Sequence, residues 1–89
     1  MPRWYIDVEM RCGNGGVLNG ESQASRKIKD YQMREECIIH HSCASSARTE
    51  SYDIETTPEN LGRLIADLYS IEGISRVIPR PVAYSQPNK

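Results

Sequence analysis

Residues 57–84 read TPENLGRLIADLYSIEGISRVIPRPVAY, and this stretch decides the fold class. Leu61, Leu64, Ile65, Leu68 and Ile71 recur at helical spacing and form one apolar stripe. Thr57 predicts the N-cap, and Pro58 suits the first helical position, where a missing N–H is no loss. Gly73 predicts the stop, so a helix over Pro58–Glu72 feeds a strand through Val77 and Ile78. Pro79 and Pro81 lie two apart, so both missing donors fall on one side of that strand. An edge strand tolerates this and a central strand does not.

Outward from this unit, residues 3–12 alternate. Trp4, Ile6, Val8, Met10 and Cys12 share one face, with Tyr5, Asp7, Glu9 and Arg11 on the other, which predicts a half-buried strand. Gly13-Asn14-Gly15-Gly16 ends it. Over residues 21–35, Ala24, Ile28 and Tyr31 predict a thin amphipathic helix, with an extended course over Ile28–Met33 as the alternative. Glu36–Cys43 reads as a strand centred on Ile38 and Ile39, Ala44–Arg48 as a loop of small residues, and Ser51–Thr56 as a strand with Tyr52, Ile54 and Thr56 on one side.

The order strand, helix, strand, strand, helix, strand predicts an α+β fold of the ferredoxin-like βαββαβ type. It has a four-stranded antiparallel sheet with two helices on one face, and the last strand at an edge beside the first. Residues 1–84 are expected to form one domain and 85–89 a flexible tail.

Composition narrows the function classes. The chain has 89 residues, net charge −1, 38% hydrophobic and 26% charged residues, and no Phe. That is globular composition with no electrostatic drive toward nucleic acid. No apolar run is long enough for a membrane span, and no basic-then-apolar leader opens the chain. With three cysteines and no sign of secretion, reduced thiols in a cytoplasmic protein are expected. A chain this small buries only roughly 60–65% of its unfolded surface, so a homodimer or another partner is among the expected assemblies.

No catalytic or cofactor motif is present. The glycines at 13–20 lack the Gly-Lys-Ser/Thr of a phosphate loop, and Leu18 stands where a dinucleotide loop needs its third glycine. Pro2 opens a strand, as in tautomerases that use an N-terminal proline as base, but the following loop and later hairpin depart from that pattern. Cys37-x-x-His40-His41-x-Cys43 has metal-ligand residue types. In an extended strand Cys37 and Cys43 stand about 20 Å apart at ~3.3 Å per residue, too far for one zinc or one disulfide. The expectation is free structural thiols, with Cys37 and Cys43 buried and the two histidines on opposite faces. A metal- or thiol-dependent protein built on these four residues is the rival reading.

Asp7 and Glu9 of the first strand and Asp53 and Glu55 of the third are expected to converge on one exposed sheet face. Four carboxylates there argue against RNA, whose ferredoxin-like readers stack bases on aromatics flanked by basic residues. Between Glu50 and Glu72 six acids stand against Arg63 alone, while Arg76, Arg80 and Lys89 make the C-terminal stretch basic. The reading is a non-enzymatic, cofactor-free regulatory adaptor or inhibitor. It would dock a basic protein surface through this acidic face, with Tyr5, Tyr52 and Tyr69 as anchors.

Overall fold

In a computed structural model, residues 2–11 and 22–82 are described; Cys12, the glycines at 13–20 and the tail expected at 85–89 lie outside them. The elements are β1 (Arg3–Met10), α1 (Gln23–Met33), β2 (Ile38–Ser46), β3 (Thr49–Glu55), α2 (Pro58–Tyr69) and β4 (Ile74–Pro81). The sheet is antiparallel in the order β2-β3-β1-β4. This is the expected βαββαβ arrangement, with the proline-bearing strand at the edge beside the first.

The apolar alternation of β1 is its burial pattern. Ile6, Val8 and Met10 are buried with Tyr52 and Ile54 of β3, under Ala24, Ile28 and Tyr31 of α1 and Leu61, Leu64 and Leu68 of α2. Trp4 and Ile65 pack partly against this core. Both helices thus cover one face of the sheet, and Ile28–Met33 is helical, within Gln23–Met33, rather than extended.

Helix α2 is capped as its sequence indicates, Thr57 Oγ1 accepting from the Asn60 N–H at 3.2 Å. It ends at Tyr69, three residues before the expected Glu72, because Ser70 closes it and Ile71 and Gly73 form a separate turn. Gly73 has φ 97°, a conformation that strains any L side chain. Helix α1 ends without glycine. Glu36 N–H donates to Tyr31 C=O and Glu35 N–H to Gln32 C=O, both at 2.9 Å, the two bonds of a Schellman closure. Glu35 therefore sits at φ 61°, a position that usually holds glycine.

The β2–β3 hairpin differs from the sequence expectation in two features. Ala44–Arg48 is not a five-residue loop: β2 and β3 extend to Ser46 and Thr49 and leave a turn of Ala47 and Arg48. Neither turn residue has positive φ, so the twist-matched turns of short hairpins are inaccessible. The register instead shifts between Ala44 and Ser46, a bulge that absorbs the mismatch. A second shift, between Ile39 and His41, changes where the histidines point.

Leu64 and Leu68 are fully buried, so Leu64→Ala or Leu68→Ala should destabilise the domain by about 2–5 kcal/mol in denaturant unfolding. Near-neutral effects at both sites would remove the stripe from the core. Glu35→Gly should stabilise by up to about 1 kcal/mol, because relief of the left-handed strain outweighs glycine's extra unfolded-state entropy. A loss of stability would mean that the Glu35 side chain contributes more than its backbone strain costs.

Candidate functional site

The helix-free face of the sheet is the candidate site. In register, Arg3 lies opposite Glu55, Tyr5 opposite Asp53, Asp7 opposite Ser51 and Glu9 opposite Thr49. On the other flank Glu9 lies opposite Arg76, Asp7 opposite Ile78 and Tyr5 opposite Arg80. Opposed residues share a face, so Asp7, Glu9, Asp53 and Glu55 do converge on one side, around Tyr5.

They do not converge alone. Arg3 grips Asp53 through two hydrogen bonds, Nε to Oδ1 at 2.9 Å and Nη2 to Oδ2 at 2.8 Å. Arg80 reaches Asp7 at 2.9 Å and Arg76 reaches Glu9 at 3.2 Å. His40 Nε2 lies 2.8 Å from Glu55 Oε1. Ser51 Oγ donates to Asp7 at 2.8 Å and is itself hydrogen-bonded to Ser45. Every one of the four carboxylates has a cationic or imidazole partner. The face is a lattice of alternating charge, not the uniformly acidic patch expected, and its four carboxylates do not stand as a bare negative field.

The pairs are unequal. The bidentate Arg3 guanidinium holds the Asp53 carboxyl below its usual value, and the His40 hydrogen bond lowers Glu55. Arg76 and Arg80 keep about 60% of their side chains in water (62% and 59%), and such pairs contribute little to stability.

The expected aromatic anchors separate. Tyr5 is 45% exposed and stands on the open face. Tyr52 is 4% exposed, belongs to the core, and donates its hydroxyl proton to Glu50. Burial, then that acidic acceptor, pushes its phenol well up. It alternates with Ser51 and Asp53 along β3 and so faces the helices. Tyr69 is half-exposed at the end of α2, where its hydroxyl accepts from the Val77 N–H at 3.0 Å. It therefore sits against β4 from the helix side, away from the carboxylates. Ile38, 45% exposed, shares Glu55's face and was not among the expected anchors. Its signal was the Ile38-Ile39 pair, of which a strand can bury only one.

The Cys/His quartet is also split. Cys37 is buried, its Sγ 3.8 Å from the Ile28 carbonyl, and burial pushes its thiol up to about 11. Cys43 is exposed rather than buried. The β2 bulge brings His40 and His41 to the same face, where expectation had them opposed: His40 meets Glu55, and His41 lies opposite Asp53. His41, Cys43, Tyr5, Asp7, Asp53 and Arg80 line a shallow hollow on this face. Among the described residues no group of three His, Cys, Asp or Glu side chains is placed to hold one metal ion.

No protein-family model matches the chain, and no curated protein matches it. Among solved structures, the solution structure of the C-terminal domain of the MgtC protein from Mycobacterium tuberculosis is similar, with a TM-score of 0.72. The alignment covers 99% of this chain and 95% of that domain, at 17% identity. The likeness is one of fold. Among the described residues no helix is long and apolar enough to cross a membrane.

Carboxyls lowered in the fold contribute stability that is present above their ordinary values, 3.8 for Asp53 and 4.5 for Glu55, and lost as pH falls through the folded values. Arg3→Gln should therefore lower the melting temperature at neutral pH. The gap to wild type should narrow as pH falls below the ordinary aspartate value. A gap that stays constant down to acid denaturation would show that Arg3 acts through packing rather than through Asp53.

Proposed function

We infer that the domain is a non-enzymatic regulatory module that binds a protein through the uncovered sheet face. The observation that carries this is the face itself. Among the described residues no layer covers it, yet it presents Tyr5 and Ile38, each 45% exposed, amid fixed ion pairs and serine hydroxyls. Aromatic and aliphatic anchors inside a polar, oriented surround are the usual make-up of a protein-binding surface. The shared fold supports a small modular domain and leaves the role to the surface.

The partner's chemistry follows from which ion pairs can open. Asp53 is held by two hydrogen bonds and stays with Arg3. Asp7 and Glu9 are held by largely solvated arginines, and a partner's lysines or arginines could take these carboxylates at little cost, leaving Arg76 and Arg80 to water or to the partner's acids. A basic partner surface with some acidic groups fits this exchange. Because the face is nearly balanced in charge, recognition depends on local matching of charges more than on a long-range field.

Affinity capture with wild type, Tyr5→Ala, Asp7→Lys/Glu9→Lys and Tyr69→Ala tests this reading. A partner retained by wild type and Tyr69→Ala should be lost from the two face variants. With that partner purified, Tyr5→Ala should chiefly speed dissociation, by about tenfold or more if Tyr5 is a central anchor worth more than about 1.4 kcal/mol. Equal capture by all four proteins would refute the assignment of the face.

A further inference from the structure

The two edges of the sheet are treated in opposite ways. On β4 the Val82 N–H donates to the Arg3 carbonyl at 3.0 Å, so alternate residues aim at β1 and the intervening Val77, Pro79 and Pro81 face outward. Tyr69 occupies the Val77 donor, and the two prolines have none. Three successive outward positions offer no hydrogen to another strand.

Among the described residues, strand β2 has no such protection over most of its length. Its nine residues include no proline, lysine, aspartate or glutamate, and all except Ile39 are exposed. Among the described residues only its beginning is guarded, where Gln32 Oε1 accepts from the Ile39 N–H at 2.7 Å. The register with β3 pairs His41 with Asp53, Ser42 with Tyr52, Cys43 with Ser51 and Ala44 with Glu50. Alternation places the outward donors and acceptors on Ser42 and Ala44, and no described side chain meets them. An exposed strand of this kind is a template for another strand.

We propose that β2 pairs antiparallel with β2 of a second copy about a dyad at Cys43, joining two sheets into one of eight strands. Self-complementarity selects this occupant and this register. Two bulges confine the regular part of β2 to residues 41–44, and only the pairing of Ser42 with Ala44 of the other copy uses both outward residues, reciprocally. No like-charged carboxylates or lysines oppose each other along the strand. Cys43 then meets its own copy as a non-hydrogen-bonded pair, with Cα atoms about 4.5 Å apart, inside the range a disulfide spans. This interface lies on the edge and is independent of the reading of the open face.

Sedimentation over a concentration series, under reducing conditions, should give a mass rising toward twice 10.1 kDa. Mild oxidation with diamide should then link the chains: the two Cys43 thiols lose two protons and two electrons to diamide and form one S–S bond. Cys12→Ser should retain this crosslink and Cys43→Ser should lose it. Ala44→Pro removes an outward donor and should give a folded monomer. Cys43→Asp, at an exposed site, should do the same by facing two carboxylates across the dyad, and it decides the matter if Ala44→Pro fails to fold. A wild-type chain that stays monomeric, a crosslink that survives Cys43→Ser, or a dimer that persists in Cys43→Asp overturns the proposal.

Discussion

Strand β1 is the constraint on which the rest of the molecule depends. It lies between β3 and β4 and bonds to both, so its two residue sets define the two sides of the protein. Trp4, Ile6, Val8 and Met10 meet the helices; Arg3, Tyr5, Asp7 and Glu9 meet the open face. A slip of one residue would exchange the sets, burying two carboxylates and a guanidinium and exposing three fully apolar positions. The ion pairs reinforce the register because they are specific to it. Glu9 meets Arg76 directly across the β1–β4 ladder, while Arg3 reaches Asp53 and Asp7 reaches Arg80 one diagonal away. Each surface pair contributes modestly; together they favour one alignment.

Charge that is segregated along the sequence is mixed in the fold. Acids crowd residues 50–72 and the C-terminal stretch is basic, but antiparallel pairing lays β4 along the strand that carries Asp7 and Glu9. Arg76 and Arg80 therefore arrive beside acids 67 and 73 residues earlier in the chain, Glu9 and Asp7. What results is a short-range pattern of dipoles. Opposite charges side by side largely cancel at a distance, and salt screens what is left over about 8 Å, so the pattern can set the orientation of a contact while adding little to the rate of encounter.

How much was legible in the sequence follows from the same physics. Period two in residues 3–10, the stripe and caps of α2, and Pro79 with Pro81 are local patterns with one structural solution, and they supplied element order, sheet edge and core. The convergence of Asp7, Glu9, Asp53 and Glu55 followed from strand adjacency. Their partners did not, because pairing Arg76 with Glu9 depends on a register set across the whole chain. The bulge at His40 was hidden for another reason: no glycine marks it, and a bulge without glycine leaves composition unchanged. Ala44-Ser45-Ser46 reads as loop because small residues favour strands weakly, yet the ladder to β3 carries them. Glu35 ends α1 in a conformation its side chain gives no reason to expect.

Open face and open edge have compatible geometries. A twofold axis through Cys43, normal to the sheet, keeps the helices of both copies on one side and both open faces on the other. Cys43 lies opposite Ser51, on the open-face side of β2, so the two thiols would meet on the same side of the joined sheet, as a bond between them requires. Tyr5 and its surrounding charges would then be displayed twice on one continuous surface. A partner with two matching sites would engage both, and the second contact would form at the high effective concentration set by the first. A weak contact made through solvated ion pairs gains the most from such duplication. The unprotected edge of β2 and the modest strength of the face would thus be two consequences of one arrangement, in which a domain too small for a broad interface obtains one by pairing with itself.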